Sequence, residues 1–384
     1  MAEFVFWLCL FLPLFVYLGY PALLAVCALF RRDDAPTTPT ELPRVSIIVA
    51  AYNEERNIEA KLCSLLESDY PRERRQIIVA SDGSSDATVA LARQFARAQG
   101  QDEDLQVLDL PRGGKASALN AAVAVADGEI LVFSDADILW GRDTLRELVM
   151  PFNDPRVGAV GGYVTVASTG KSLAIGDKLY RRYEAWQRRL ESRCGCLASA
   201  DGALQALRRE LFQPIPAGVT DDFFLATCAS VAGRRIAFAE RARASDEGVE
   251  SSVSQFQRRR RITAQGLHSL VCRRELLNPL RHGLFAIGLF THKLLRRLVP
   301  LLLVPLLLSN LWLWDAGPFY RLCLIAQLGG YALALAGLLG QRRQLPKLLR
   351  LAAYVLISLS GITAGIWHFV SGQRYHNWNP QQNR

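Results

Sequence analysis

Two aspartates separated by a single residue, Asp135-Ala136-Asp137, follow an apolar run at 130–133 (ILVF). If a turn after a buried strand brings both to one side, such a pair can hold a hard divalent cation through carboxylate oxygens. Comparable polar clusters end two other apolar runs: Asn53-Glu54 follows residues 45–51 (VSIIVAA), and Ser81-Asp82 follows residues 76–80 (QIIVA). Lys115 stands in Gly113-Gly114-Lys115, one of only six lysines among 45 basic residues. Thr220-Asp221-Asp222 adds two further adjacent carboxylates. Gly113-Gly114-Lys115 lacks the glycine spacing of a P-loop and has Ala116 where Ser or Thr belongs. No dinucleotide fingerprint opens the first helix, and no nucleophile elbow occurs.

The elements that must position these residues are legible as alternation. Apolar runs at 45–51, 76–80, 105–110 and 130–133 are separated by helical patterns at 57–66 and 87–99. Continuous apolar strands alternating with amphipathic helices predict an α/β layer with a mostly parallel sheet covered on both faces. Ligands of such sheets bind at the carboxyl ends of the strands, where Asn53, Glu54, Asp82, Asp135 and Asp137 fall. Taken singly, Asp86 caps the helix that follows it, and Asp221-Asp222 form an acidic helix N-terminus.

Residues 45–57 (VSIIVAAYNEERN), 78–86 (IVASDGSSD), 113–120 (GGKASALN) and 127–137 (DGEILVFSDAD), with Gly161-Gly162 and Thr220-Asp221-Asp222 later, resemble the successive signatures of family 2 glycosyltransferases. The resemblance covers about residues 44–270 and implies the GT-A fold, a Rossmann-like nucleotide-diphospho-sugar transferase domain. It implies that Ala51 and Glu54 line the uracil and ribose pocket, that Asp82 reads the base, and that Lys115 approaches the diphosphate. Asp135 and Asp137 then form the metal pair, Asp137 the direct ligand of Mg²⁺ or Mn²⁺. Asp222 matches the family's general base, with Asp221 competing for the role. Processive members carry Gln or Arg, two residues, then Arg-Trp. Here Gln257-Arg258-Arg259-Arg260 supplies the first part, but Arg261 stands where Trp belongs. The resemblance leaves Gln257, Arg260 and Arg261 to grip the diphosphate and implies a non-processive enzyme.

Half of the chain is apolar and 21% is charged, and the apolar residues gather at the two ends. Residues 4–30 carry no charge and exceed the ~20 needed to cross a bilayer. No basic segment precedes them, so a retained anchor (residues 1–32) is expected rather than a signal peptide. A linker follows at 33–43, the catalytic domain at 44–270 and an interfacial amphipathic segment at 271–297. A membrane region at 298–384 is expected to hold three spans, at 298–314, 322–340 and 351–370. Arg31 and Arg32 place the catalytic domain in the cytoplasm of a multi-pass inner (plasma) membrane protein. The net charge of +9 lies beside the spans, which directs it to membrane lipids rather than nucleic acid. Eight cysteines without paired CxxC spacing read as structural thiols.

Expected partners are therefore a nucleotide-sugar donor, a lipid-linked sugar or glycan acceptor, membrane lipids and other polysaccharide-assembly proteins. The competing readings are a processive polysaccharide synthase that also translocates its polymer, and a catalytically silent component of an export assembly.

Overall fold

A single mixed sheet of eight strands runs through the middle of the chain in the order β3-β2-β1-β4-β7-β6-β8-β5. The structure, a computed structural model, describes residues 1–31, 41–100, 104–166, 174–246, 252–340 and 346–373. Most of the expected linker and the segment after residue 373 lie outside the described residues. The strands are β1 (Val45–Ala51), β2 (Arg75–Asp82), β3 (Leu105–Leu110), β4 (Ile130–Asp135), β5 (Leu139–Trp140), β6 (Val157–Val166), β7 (Leu204–Arg208) and β8 (Arg235–Asp246). The helices, in chain order, are α1 (Ala2–Leu29), α2 (Ile58–Leu66), α3 (Thr88–Ala98), α4 (Lys115–Ala124), α5 (Thr144–Val149), α6 (Ala174–Cys194), α7 (Asp221–Val231), α8 (Ser252–Cys272), α9 (Leu284–Trp312), α10 (Pro318–Leu339) and α11 (Lys347–Val370).

Strands β1 to β4 are mutually parallel and read as unbroken apolar runs because helices cover both faces. Ile47 and Val49 point to one face with Ile58 and Leu62, and Ile48 and Ala50 to the other with Leu119 and Ala122. All are essentially inaccessible, each large one contributing about 1.5–3 kcal/mol through burial. The sheet departs from the expected parallel pattern at β7, which runs antiparallel to both β4 and β6. Register then places the chemistry. Ala50 pairs with Asp135 and Ala51 with Ser81, so the carboxyl ends of β1, β2 and β4 lie side by side.

Four helices, α1, α9, α10 and α11, are long and apolar enough to cross a membrane. Helix α9 begins at Leu284, well before the span expected from residue 298. Lys293, Arg296 and Arg297 interrupt its apolar pattern without breaking the helix, which widens into a π-turn at Phe290–Leu295. Its first half packs on the catalytic domain: Leu289 shares a buried cluster with Ala198 and with Phe223 of α7.

Candidate active site

The loop before α4 is built around Asp82. Its Oδ1 accepts the backbone N–H groups of Gly113 (2.7 Å) and Gly114 (2.8 Å), and its Oδ2 accepts Arg112 Nη1 at 2.6 Å. Gly114 holds φ +87°, a conformation side chains other than glycine's resist, so the two N–H groups can converge. Arg112 also lies over the Tyr52 ring, 3.3 Å from its centroid, linking the loops after β1 and β3. The loops after β1 and β2 are stitched in turn. Asn53 Oδ1 accepts Ser85 N–H at 2.8 Å, Glu54 N–H donates to Thr88 Oγ1 at 2.8 Å, and Asp86 Oδ1 accepts Thr88 N–H at 3.0 Å.

This loop delivers Lys115 to the centre of the site. Its Nζ lies 2.7 Å from Asp135 Oδ1 and 2.8 Å from Asp221 Oδ2, tying the end of β4 to the first turn of α7. Burial alone would lower the Lys115 pKa, but Asp135 and Asp221 override it and hold the ammonium above its ordinary range. Burial is the largest cause pushing Asp135 up to about 6; Lys115 opposes it, while Asp137 and Asp221 reinforce it. Asp222, next on α7, accepts its own helix's Phe223 N–H at 2.6 Å. Burial and then Asp221 raise its pKa, against the opposing charge of Lys293.

Beneath the Asp135-Ala136-Asp137 turn lies a residue that sequence reasoning missed. Lys61 of α2 is fully buried, and its Nζ donates to Ser134 Oγ and to the Ile138 carbonyl, both at 2.7 Å. The Ser134 hydroxyl also accepts Trp140 Nε1–H at 3.1 Å and donates to the Ala203 carbonyl at 3.0 Å. Lys61 therefore clasps both ends of the turn. Burial lowers its pKa to about 7, with Asp135 and Asp137 opposing that shift. Its one sequence signal was a lysine on the inward side of an otherwise apolar helix face. Trp140 is buried against Lys61.

Of the remaining expected residues, those at the end of β1 and just after it lie beside the Asp135 end of β4, and those on α8 lie farther off. Ala51 is buried at the end of β1, and Glu54 is nearly buried with Oε2 accepting Asn57 Nδ2 at 2.5 Å. Gln257 is exposed on α8, and the turn holding Arg260 packs against α11. Helix α8 meets the catalytic cluster farther along, where Ser269 Oγ accepts Thr220 N–H at 2.8 Å. Arg261 is about 12 Å from that contact by helix rise.

The carboxylates suit Mg²⁺ or Mn²⁺ by donor type, since both ions prefer hard oxygen ligands. Among the described residues no group of three His, Cys, Asp or Glu side chains gathers around one point. Asp135 and Asp137 would supply the carboxylate oxygens that hold such an ion.

A mixed sheet with two strands, β7 and β5, running against the others, an aspartate pair at its carboxyl edge and a lysine-bridged acidic helix beside it, is a GT-A fold. Residues 46–215 match the glycosyl transferase family 2 model, and the chain carries a domain of that family. The mannosyltransferase PcManGT from Pyrobaculum calidifontis, solved in complex with GDP-Man and Mn²⁺, superposes with a TM-score of 0.72 at 25% identity, covering 97% of this chain and 100% of that one. The beta-monoglucosyldiacylglycerol synthase of Synechocystis sp. is 27% identical over 288 residues, 73% of this chain and 59% of that protein. The probable glycosyltransferase YdaM of Bacillus subtilis is 35% identical over 137 residues, 35% of this chain and 32% of that protein. The chain thus spans about a third to three-fifths of the length of these two relatives.

Proposed function

We propose that this chain is a membrane-seated, inverting glycosyltransferase that takes its sugar from a nucleoside-diphosphate donor, with a UDP-sugar the first to test. The acceptor is a lipid-linked sugar or glycan of cell-surface glycan synthesis. Helices α1, α9, α10 and α11 would seat the enzyme in the inner membrane with the catalytic domain on the cytoplasmic side. The observation that carries this reading is the Asp135–Lys115–Asp221 bridge, which joins the metal pair to the helix bearing the base.

A divalent cation held by Asp137 and Asp135 would offset the charge that develops on the departing diphosphate. Asp82, Gly113, Gly114 and Arg112 shape the loop on the donor side. Asp221 is engaged by Lys115, whereas Asp222 is buried with its pKa raised above the ordinary carboxylate value, which makes it the stronger base. In the resulting step the acceptor hydroxyl gives its proton to Asp222 as its oxygen bonds to the anomeric carbon. The bond from that carbon to the diphosphate oxygen breaks on the opposite face, so one displacement inverts the centre. No enzyme nucleophile is required.

The test is nucleotide release by the purified full-length protein with Mn²⁺, across UDP- and GDP-sugars, followed by the mass of the extracted lipid product. Release from one donor with a matching mass gain is expected. No release from any donor would overturn the reading.

A further inference from the structure

One turn of α9 places three cations where the sheet domain meets the apolar helices. Lys293, Arg296 and Arg297 are spaced so that all three share one side of the helix. From Arg297 to Trp312 the helix runs about 23 Å, most of the ~30 Å hydrocarbon layer of a bilayer. That sets the basic turn at the level of lipid phosphates on the side of the catalytic domain.

Each cation has a distinct setting. Lys293 and Arg297 lie within electrostatic reach of Asp222. Arg297 Nη1 donates to the Lys293 carbonyl at 2.6 Å, and its guanidinium rests against Gly266 of α8. Arg296 is only 9% exposed and sits among the rings of Tyr17, Tyr180 and Tyr183, 5.2–5.7 Å from their centroids. Its Nη2 is buried and meets no hydrogen-bond acceptor among the described residues. Of the nearby carboxylates among the described residues, Glu184 lies within electrostatic reach of Arg296, but none accepts a hydrogen bond from its Nη2. Glu184 pairs with Arg188 at 3.4 Å, and Glu191 accepts from Tyr20, from Gln187 and, at 2.8 Å, pairs with His292 Nδ1. A buried guanidinium nitrogen left without an acceptor, beside two more cations, asks for an anion.

We propose that Lys293, Arg296 and Arg297 bind the phosphate of the acceptor, which is a membrane lipid carrying a phosphate or diphosphate. This rests on the catalytic reading above, because it makes the site useful: a lipid held by its phosphate at α9 presents its hydroxyl to Asp222. The chemistry is the displacement already described, with the proton passing to Asp222 and the nucleoside diphosphate leaving. A neutral diacylglycerol offers nothing for Arg296 to bind.

The experiment uses the full-length protein in a phosphate-free detergent. Transfer is compared for a polyisoprenyl-diphosphate sugar, phosphatidylinositol and neutral diacylglycerol, with inorganic pyrophosphate as a soluble competitor. Expected is transfer to a phosphate-bearing lipid, with Arg296→Gln and Lys293→Gln each raising the acceptor KM about tenfold or more while the donor KM stays put, and Arg296→Lys recovering part of the loss. Equal use of diacylglycerol, or an unmoved acceptor KM in both variants, overturns the proposal; so does pyrophosphate competing as well as the lipid. If Arg296→Gln does not fold, Lys293→Gln decides. If no donor is turned over, the catalytic reading fails separately, and binding of a fluorescent polyisoprenyl phosphate to wild type but not to Lys293→Gln still tests the phosphate site.

Discussion

Asp221 and Asp222 are adjacent in sequence, yet Lys115 takes one and burial shapes the other. A carboxylate with a raised pKa loses its basic form as pH falls through that value. The acid limb of kcat/KM should therefore lie above 3.8, the ordinary aspartate value. Asp222→Asn should abolish that limb and lower turnover by about 10²–10⁴-fold with donor binding retained; if Asp221→Asn does this instead, the roles are reversed. Lys61 yields a stability prediction of the opposite sign to a usual ion-paired lysine. Its folded pKa of about 7 lies below the ordinary 10.5. The unfolded chain therefore binds more protons between those values, and stability rises with pH across the window. Lys61→Met should erase that rise and cost about 1–3 kcal/mol by removing the Lys61 hydrogen bonds to Ser134 Oγ and to the Ile138 carbonyl. Thermal melts at about pH 7 and about pH 9 check it.

At the scale of elements, the catalytic domain is fastened to the apolar helices where α8 lies along α11. Gly361 and Gly365 bring the two backbones together: a Cβ at Gly365 would stand 2.6 Å from the Arg260 carbonyl and from Thr263 Cβ. Small residues four apart commonly permit such close approach between helices. Gly365→Leu should force α11 away and lower stability by about 1–3 kcal/mol, seen as a lower melting temperature in detergent, whereas Gly329→Leu, with no atom within 4 Å of its Cβ position, should not. The parallel strands and the aspartates at their ends were legible in the sequence because continuous apolar runs ending in polar clusters depend on local pattern. Strand β7 was not, since its direction is set by pairing with β4 and β6 across long stretches of chain. Lys61 and Arg112 escaped for a related reason. Their partners Ser134 and Asp82 lie 73 and 30 residues away, and a lysine or arginine alone reads as solvated. The early start of α9 was hidden by the three cations that interrupt its apolar run.

Across the whole molecule, the four apolar helices and the charge distribution bear on one question, the side of the membrane on which the sheet domain lies. If α1, α9, α10 and α11 each cross once, Arg31, the Lys293–Arg297 turn, Lys347 and Arg350 all fall on the catalytic domain's side. Glu3, Asp315 and its partner Arg321 fall on the other. Basic residues concentrate on the cytoplasmic face of membrane proteins, so the prediction from this partition is that the sheet domain faces the cytoplasm. Two positions report it directly: Cys63 is exposed on the catalytic domain, and the Asp315 side chain is 92% exposed at the far turn. With an impermeant maleimide and mass spectrometry of the labelled peptides, Cys63 should react in inverted vesicles but not in intact cells, and an Asp315→Cys variant should show the reverse. Both sites reacting from one side would mean that α9 does not cross.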